Sequence, residues 1–187
     1  MRLGPLYWDK IYKLLTTLTY NNKLKYFQYQ LNRGCLNLNN IISKFVPGQS
    51  DRCTFCNNHK EDIIHLFWSC DIVQAFKISL GPFLNQLNVT WPPPSRESFL
   101  FGCHKSSFCS EQEYIYLLIK HFIWISRCLK TELSLASCKN KISFMISSDL
   151  CHVGQRPRGG GEGGGVTTLG TDPFMFISSL ANRLGIG

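Results

Sequence analysis

The chain has 187 residues, 44% of them hydrophobic, and a net charge of +8, which allows one sizeable core and leaves little room for two full domains. Its most apolar stretch, YIYLLIKHFIWIS, is interrupted by Lys120 and His121, which argues against a membrane span. No apolar run typical of a secretory signal follows Met1, so we expect an intracellular protein, nuclear or cytoplasmic and not secreted. In such a reducing compartment its nine cysteines are expected to be thiols or metal ligands rather than disulfides.

The positive charge is concentrated near the N-terminus. Residues 1–48 carry seven Lys or Arg side chains against Asp9 alone. Such an excess favours a polyanionic partner, RNA or DNA, because each phosphate contact by Lys or Arg releases condensed counterions. The alternative is a solvated face that only keeps the protein soluble.

Helical periodicity predicts two helices in this basic part. The first is short and covers residues 7–16. The second has a stripe that faces a core, formed by Tyr20, Leu24, Phe27, Leu31 and Cys35. Lys25 and Arg33 lie toward its opposite side, and Gly34 weakens this helix late in its course.

A Pro-Gly turn at residues 47–48 precedes the densest group of cysteine and histidine residues, DRCTFCNNHKEDIIHLFWSC. Here Cys53-x2-Cys56 is followed by His65-x4-Cys70. Two thiolates on one tight turn, with a His and a Cys from a following helical turn, can complete a tetrahedron around Zn²⁺. A closed set of four ligands is structural, because hydrolytic zinc needs an open position for water. We therefore predict one structural zinc ion in a zinc-knuckle-like loop.

Two alternatives remain open at this site. His59 competes with His65 as the fourth ligand, although its polar surroundings favour exposure, and we prefer His65. Without a metal, Cys70 and the neighbouring apolar residues would pack as core, with His65 bonded to a carbonyl. Glu61 and Asp62 precede the His and predict a helix start, because acidic side chains suit a helix N-terminus. Cys35 and Cys128 are predicted to be core residues.

Further helices are predicted downstream. Residues 71–90 form a helix and turn, WPPPS at 91–95 is a rigid connector, and a long helix covers residues 113–130. Its apolar face consists of Tyr114, Leu118, Phe122, Ile125 and Leu129, and its other face of Lys120, Trp124, Arg127 and Lys130. We expect a mainly α-helical zinc domain over residues 1–150 and a Gly-rich, disordered tail over residues 151–187, whose end has little to pack on.

The order of these segments resembles the part downstream of the polymerase in LINE-type, non-LTR retrotransposon reverse transcriptases. The resemblance covers roughly residues 7–145, and its most specific element is Cys53, Cys56, His65 and Cys70 with HLFWSC. It implies that these four residues bind zinc and that the module helps a polymerase to hold its RNA template and target DNA. The Gly-rich end departs from the family pattern.

The resemblance does not imply catalysis. A polymerase needs carboxylates that hold two metal ions, and the six Asp residues of this chain are scattered without an adjacent pair. We therefore expect a truncated, non-catalytic remnant of a reverse transcriptase, with no small-molecule substrate and no membrane partner.

Two sets of residues are candidates for nucleic-acid contact. Phosphates would be bound by Lys10, Lys13, Lys23, Lys25 and Arg33. A second surface would consist of Lys120, Arg127 and Lys130 around Trp124, whose indole could stack on a base. The alternative function is a structural or protein-interaction zinc module without nucleic-acid affinity, and the sequence leaves the oligomeric state open.

Overall fold

The computed structural model describes residues 17–102, 110–154 and 175–186. Within these ranges the chain contains helices and one isolated antiparallel bridge, between Arg52 and Lys60, but no strand, so the predicted mainly helical class is confirmed. The predicted helix over residues 7–16 and the Gly-rich run lie outside the described residues. The helices are α1 (Asn22–Arg33), α2 (Asn39–Ile42), α3 (Asp71–Gln86), α4 (Arg96–Phe101), α5 (Ser110–Leu129), α6 (Leu135–Gly154) and α7 (Met175–Arg183), with a π-helical turn, His65–Ser69, before α3.

Capping hydrogen bonds define both ends of α1. The Asn21 side chain accepts hydrogen bonds from the backbone N–H groups of Lys23 and Leu24. At the other end Gly34 adopts the left-handed conformation, with φ of +68°, and its N–H donates to the Leu31 carbonyl over 3.1 Å. Gly34 therefore ends the helix, where the sequence predicted only a weakening late in its course.

The core-facing stripe of α1 is correct over the length of the helix. Leu24, Phe27 and Leu31 are buried. Cys35 is exposed, so its predicted place in the core is wrong, because the chain leaves the helix at Gly34 and the helical periodicity no longer applies.

Helix α5 is buried on most sides, and its predicted division into two faces is wrong in its second half. Lys120 and Arg127 are only 2% and 8% exposed, whereas Ile125 and Leu129 are 37% and 68% exposed. Packing against α1, α4, α6 and α7 leaves little of α5 in water. The buried cations are tolerated because each has partners; the Lys120 Nζ, for instance, donates to the Leu100 carbonyl over 2.9 Å.

The C-terminal helix α7 packs against α5 and α6, so the expectation that the chain end has little to pack on is wrong for residues 175–186. Ile177 and Leu180 are fully buried. Arg183 donates to the Leu87 carbonyl over 2.6 Å and to the Glu111 carboxylate over 2.8 Å. The sequence pattern did not single out α6, which supplies part of the surface that α7 covers.

The predicted turn at Pro47-Gly48, the helix after Cys70 and the non-helical connector at residues 91–95 are confirmed. Trp91 fixes the connector to α3, because its indole N–H donates to the Lys77 carbonyl over 2.9 Å. None of the helices in the described ranges combines the length and the apolar character needed to cross a bilayer.

Candidate metal centre

Cys53 and Cys56 lie on a tight turn. The Cys53 N–H donates to the His59 carbonyl over 2.8 Å, which closes the loop, and Asn57 turns the chain with φ of +53°, a conformation that Asn tolerates. Backbone N–H groups of Phe55 and Cys56 point at the Cys53 sulfur. The two thiols thus face the same side of the turn, as the Cys-x2-Cys spacing predicts.

His65 and Cys70 are brought together by the π-helical turn. The Asp62 carboxylate begins this turn by accepting the His65 N–H over 2.7 Å, and the Cys70 N–H donates to the His65 carbonyl over 2.8 Å. In an α-helix, residues five apart point about 140° away from each other. A π-type i→i+5 turn instead brings them toward the same side. The four-residue gap between the two ligands is therefore matched to this rare turn.

The four predicted ligands converge. One ligand atom from each of Cys53, Cys56, His65 and Cys70 lies within 4.8 Å of the others. The Cys53 and Cys70 sulfurs are 3.9 Å apart, and the Cys56 sulfur is 3.2 Å from the His65 Nε2. Tetrahedral zinc, with bonds of about 2.3 Å to sulfur and about 2.0–2.1 Å to nitrogen, sets these separations near 3.8 and 3.6 Å. The donor set and its spacing fit a zinc ion.

His65, rather than His59, belongs to this group. The His59 side chain is exposed, and its ring centroid is 5.3 Å from that of His65. His59 contributes its backbone carbonyl to the loop instead. Without a metal, the His65 ring was expected to form a hydrogen bond with a carbonyl. In the structure its Nε2 faces the Cys56 sulfur instead.

Two of the thiols form a hydrogen-bonded pair. The hydrogen bond to Cys70, together with burial, raises the pKa of the Cys53 thiol. The same hydrogen bond lowers the pKa of the Cys70 thiol, and the N–H groups of Ile72 and Val73 at the start of α3 add to that lowering. Since zinc binds thiolates, metal binding at this site would release protons.

The turn that carries the first two cysteines is attached to α5 through Glu61, which is fully buried. One carboxylate oxygen accepts hydrogen bonds from Arg127, at 2.9 Å from Nε and 2.6 Å from Nη2, and the other accepts the Thr54 N–H over 2.8 Å. Burial alone would raise the pKa of Glu61, but hydrogen bonds from Arg127, Thr54 and Asn39 lower it. The carboxylate therefore stays ionised, as the interior partner of a cation.

Sequence reasoning missed this role. The sequence predicted that Glu61 and Asp62 both lie at the start of a helix. In the structure Asp62 has this role, because its carboxylate accepts the His65 N–H, whereas Glu61 binds Arg127. Asn39 completes the connection, since its backbone N–H donates to Glu61 over 2.9 Å and its side-chain oxygen accepts from Arg127 over 2.8 Å. No local signal could have found the pair, because Glu61 and Arg127 are 66 residues apart in the chain.

The residues predicted to contact nucleic acid differ in their exposure to solvent. Lys23, Arg33 and Lys130 are exposed, while Lys25 and Trp124 are half-buried. Lys120 and Arg127 are buried and held by internal partners, so their predicted position on an open basic face is wrong. Lys10 and Lys13 lie outside the described residues. Of the second predicted surface, only Lys130 and the half-buried Trp124 remain accessible.

Cys128 is exposed, as Cys35 is, so its predicted place in the core is also wrong. The reason is the rotation of α5, which turns the side bearing Ile125 and Leu129 outward.

Comparison with known proteins supports the zinc assignment. Residues 8–76 match the family model described as zinc-binding in reverse transcriptase, and this range contains all four ligands. The matched model is a zinc-binding one and not a catalytic polymerase domain. No curated protein and no solved structure matches the chain.

Proposed function

We propose that this protein is a non-catalytic zinc module derived from a LINE-type reverse transcriptase, and that it binds RNA or DNA through a basic surface near its N-terminus. The observation that carries the proposal is a stretch of chain without any acid. Residues 10–50 contain six Lys or Arg and no Asp or Glu, and within it Lys23, Arg33 and Lys44 are exposed. Among the described residues these three cations form no ion pair, so they are available to phosphates.

The proposed zinc ion is structural. Three Cys and one His fill a tetrahedral shell and leave no position for a reacting water. Its role is to hold the Cys53 turn, the π-helical turn and the start of α3 in one arrangement. The basic helix α1 packs near this unit, since the Phe27 and Phe67 rings lie 6.2 Å apart. A fixed arrangement of cations positions a nucleic acid without reading its sequence.

Titration against nucleic acid at several salt concentrations tests the proposal. The purified zinc-loaded chain is mixed with labelled RNA or DNA, and the dissociation constant is followed by fluorescence anisotropy. We expect the logarithm of the affinity to fall linearly with the logarithm of salt concentration, by roughly 0.7–0.9 per phosphate contacted. Binding that does not change with salt would contradict the proposal.

Charge reversal locates the surface. Lys23→Glu and Arg33→Glu should each weaken binding and reduce the salt slope by about one contact or more. Lys60→Glu makes the same change at an exposed site outside the acid-free stretch and is the matched control. Equal losses in all three variants would show that only net charge matters.

The non-catalytic part of the proposal has its own test. In a primer-extension assay with added Mg²⁺, the wild-type chain should incorporate no nucleotides.

A second candidate function is a protein-interaction module. The observation in its favour is a set of exposed apolar side chains, among which Phe45, Ile78 and Leu129 are 78%, 74% and 68% exposed. Association through such side chains should persist at high salt, so the same titration series separates the two candidates.

A further inference from the structure

The outward face of α1 carries two aromatic side chains between two cations. Tyr26 and Tyr29 are 62% and 45% exposed, and Lys23 and Arg33 on the same helix are exposed too. In contrast, Leu24, Phe27 and Leu31 on the inward face are buried. The exposed tyrosines therefore do not belong to the core, and the sequence pattern, which drew attention to the apolar stripe, did not find them.

The spacing of these four side chains is regular. Steps of three, three and four residues lead from Lys23 to Tyr26, Tyr29 and Arg33, so all four lie along one side of the helix. The row is about 15 Å long, at 1.5 Å per residue. The two rings are neighbours, with about 5–6 Å between the Cβ atoms of residues three apart. We name this row the stacking strip.

The charged side chains of α1 are all cations, and the nearby Asp149 carboxylate, which accepts the Thr19 hydroxyl just before this helix, is buried. Asp9 and Asp51 are the nearest acids in the sequence on either side. Burial, and then the positive charges of Lys141 and Lys23, lower the pKa of His121 to about 4, so both lysines lie close enough to act on its ring.

We infer that the stacking strip binds unpaired nucleotides, so that the preferred partner is single-stranded RNA or DNA rather than a duplex. Bases in a duplex are stacked on each other and cannot cover a protein ring, whereas unpaired bases can stack on Tyr26 and Tyr29 while Lys23 and Arg33 contact the flanking phosphates. This combination of aromatic faces and a cationic track is how proteins bind single strands without sequence preference. The inference rests on the proposed function and specifies its substrate class.

The test compares three ligands on the full-length, zinc-loaded chain: a short mixed-sequence single strand, the duplex of the same sequence, and heparin. Tyr26→Ala and Tyr29→Ala should each weaken single-strand binding roughly ten- to a hundredfold and leave duplex and heparin binding within about twofold. Tyr26→Phe and Tyr29→Phe keep the ring and should retain single-strand affinity. Ile78→Ala removes an apolar side chain of α3 that is even more exposed, at 74%, and is the control.

Different outcomes separate the two proposals. If the alanine variants bind the single strand as tightly as the wild type, or lose affinity for all three ligands equally, the stacking inference is wrong while salt-dependent binding keeps the proposed function. If the wild type binds none of the ligands at low salt, the proposed function fails, and the inference that rests on it fails too.

Discussion

The buried carboxylate of Glu61 and the guanidinium of Arg127 form a two-point ion pair between the zinc loop and α5, with donor–acceptor distances of 2.9 and 2.6 Å. Their side chains are only 0% and 9% exposed. Removal of either partner would leave a buried charge without its counter-charge, so the pair couples the loop to the helical core.

We expect Arg127→Ala to lower the free energy of unfolding by about 3–5 kcal/mol, because it leaves a buried carboxylate without its cation. Urea unfolding followed by circular dichroism measures the change. Arg96→Ala is the matched control, since it breaks an ion pair with Glu97 whose side chains are 36% and 44% exposed. That loss should stay below about 1 kcal/mol. Similar losses in both variants would contradict the structural role of Glu61.

Metal analysis of the purified chain should find about one zinc ion, and Cys53→Ser or Cys70→Ser should remove it, because both sulfurs belong to the ligand group. Binding and folding are linked at such sites, so these variants should also lose stability. Cys35→Ser and Cys128→Ser change exposed thiols outside the group and should retain full zinc content. Full zinc content in the Cys53 and Cys70 variants would show that the ligands are assigned wrongly.

The two histidines should respond differently to substitution. His65→Ala removes a ligand and should lower the zinc affinity at least tenfold, while His59→Ala should leave it nearly unchanged, since only the backbone of His59 takes part in the loop. Competition with a chromophoric chelator measures both affinities. The reverse order of losses would assign the fourth ligand to His59.

Lys77 should make stability rise at alkaline pH. Burial lowers its pKa to about 8 from 10.5, and its Nζ lies 4.1 Å from the Trp68 ring centroid with no carboxylate contact among the described residues. Between these two values the unfolded chain binds a proton that the folded chain does not, so the free energy of unfolding should increase with pH by roughly 3 kcal/mol at most.

The measurement is a series of urea unfolding curves between neutral pH and pH near 10.5. Lys77→Met should remove this part of the rise, while Lys139→Met changes a half-buried lysine and should keep it. Identical pH profiles for the wild type and Lys77→Met would contradict the prediction.

Helix α7 should contribute to the core. Ile177→Ala should cost about 2–4 kcal/mol, because a fully buried side chain is shortened and a cavity remains. Met175→Ala changes a side chain of the same helix that is 63% exposed, and its effect should stay within about 0.5 kcal/mol. Thermal unfolding of both variants makes the comparison. If Ile177→Ala is as mild as Met175→Ala, α7 does not pack as described.

The features that could be predicted from the sequence are those that local patterns determine. The Cys-x2-Cys turn, the apolar stripe of α1 and the Pro-Gly turn each depend on residues close together in the chain. The burial of Lys120 and Arg127 depends on partners that lie 20 and 66 residues away in the chain. A helical wheel drawn for α5 does not include these partners. A helical wheel also assumes that one side faces water, which is not true of a helix surrounded by others.

Even within the site, the local pattern was incomplete. The sequence predicted which four residues converge but not the π-helical turn that aligns His65 with Cys70. That turn is the physical reason for the four-residue gap, and regular helical periodicity does not include it.

The distance along the chain between Glu61 and Arg127 has a consequence for how the protein matures on the ribosome. Synthesis proceeds from the N-terminus, so the metal loop emerges complete while its counter-cation, 66 residues later, has not yet been translated. A nascent chain that ends soon after Cys70 contains all four ligands, but its Glu61 carboxylate still lacks the Arg127 guanidinium. The loop therefore reaches its final state only after α5 has been made, and an excised piece limited to residues 8–76 would lack that last step.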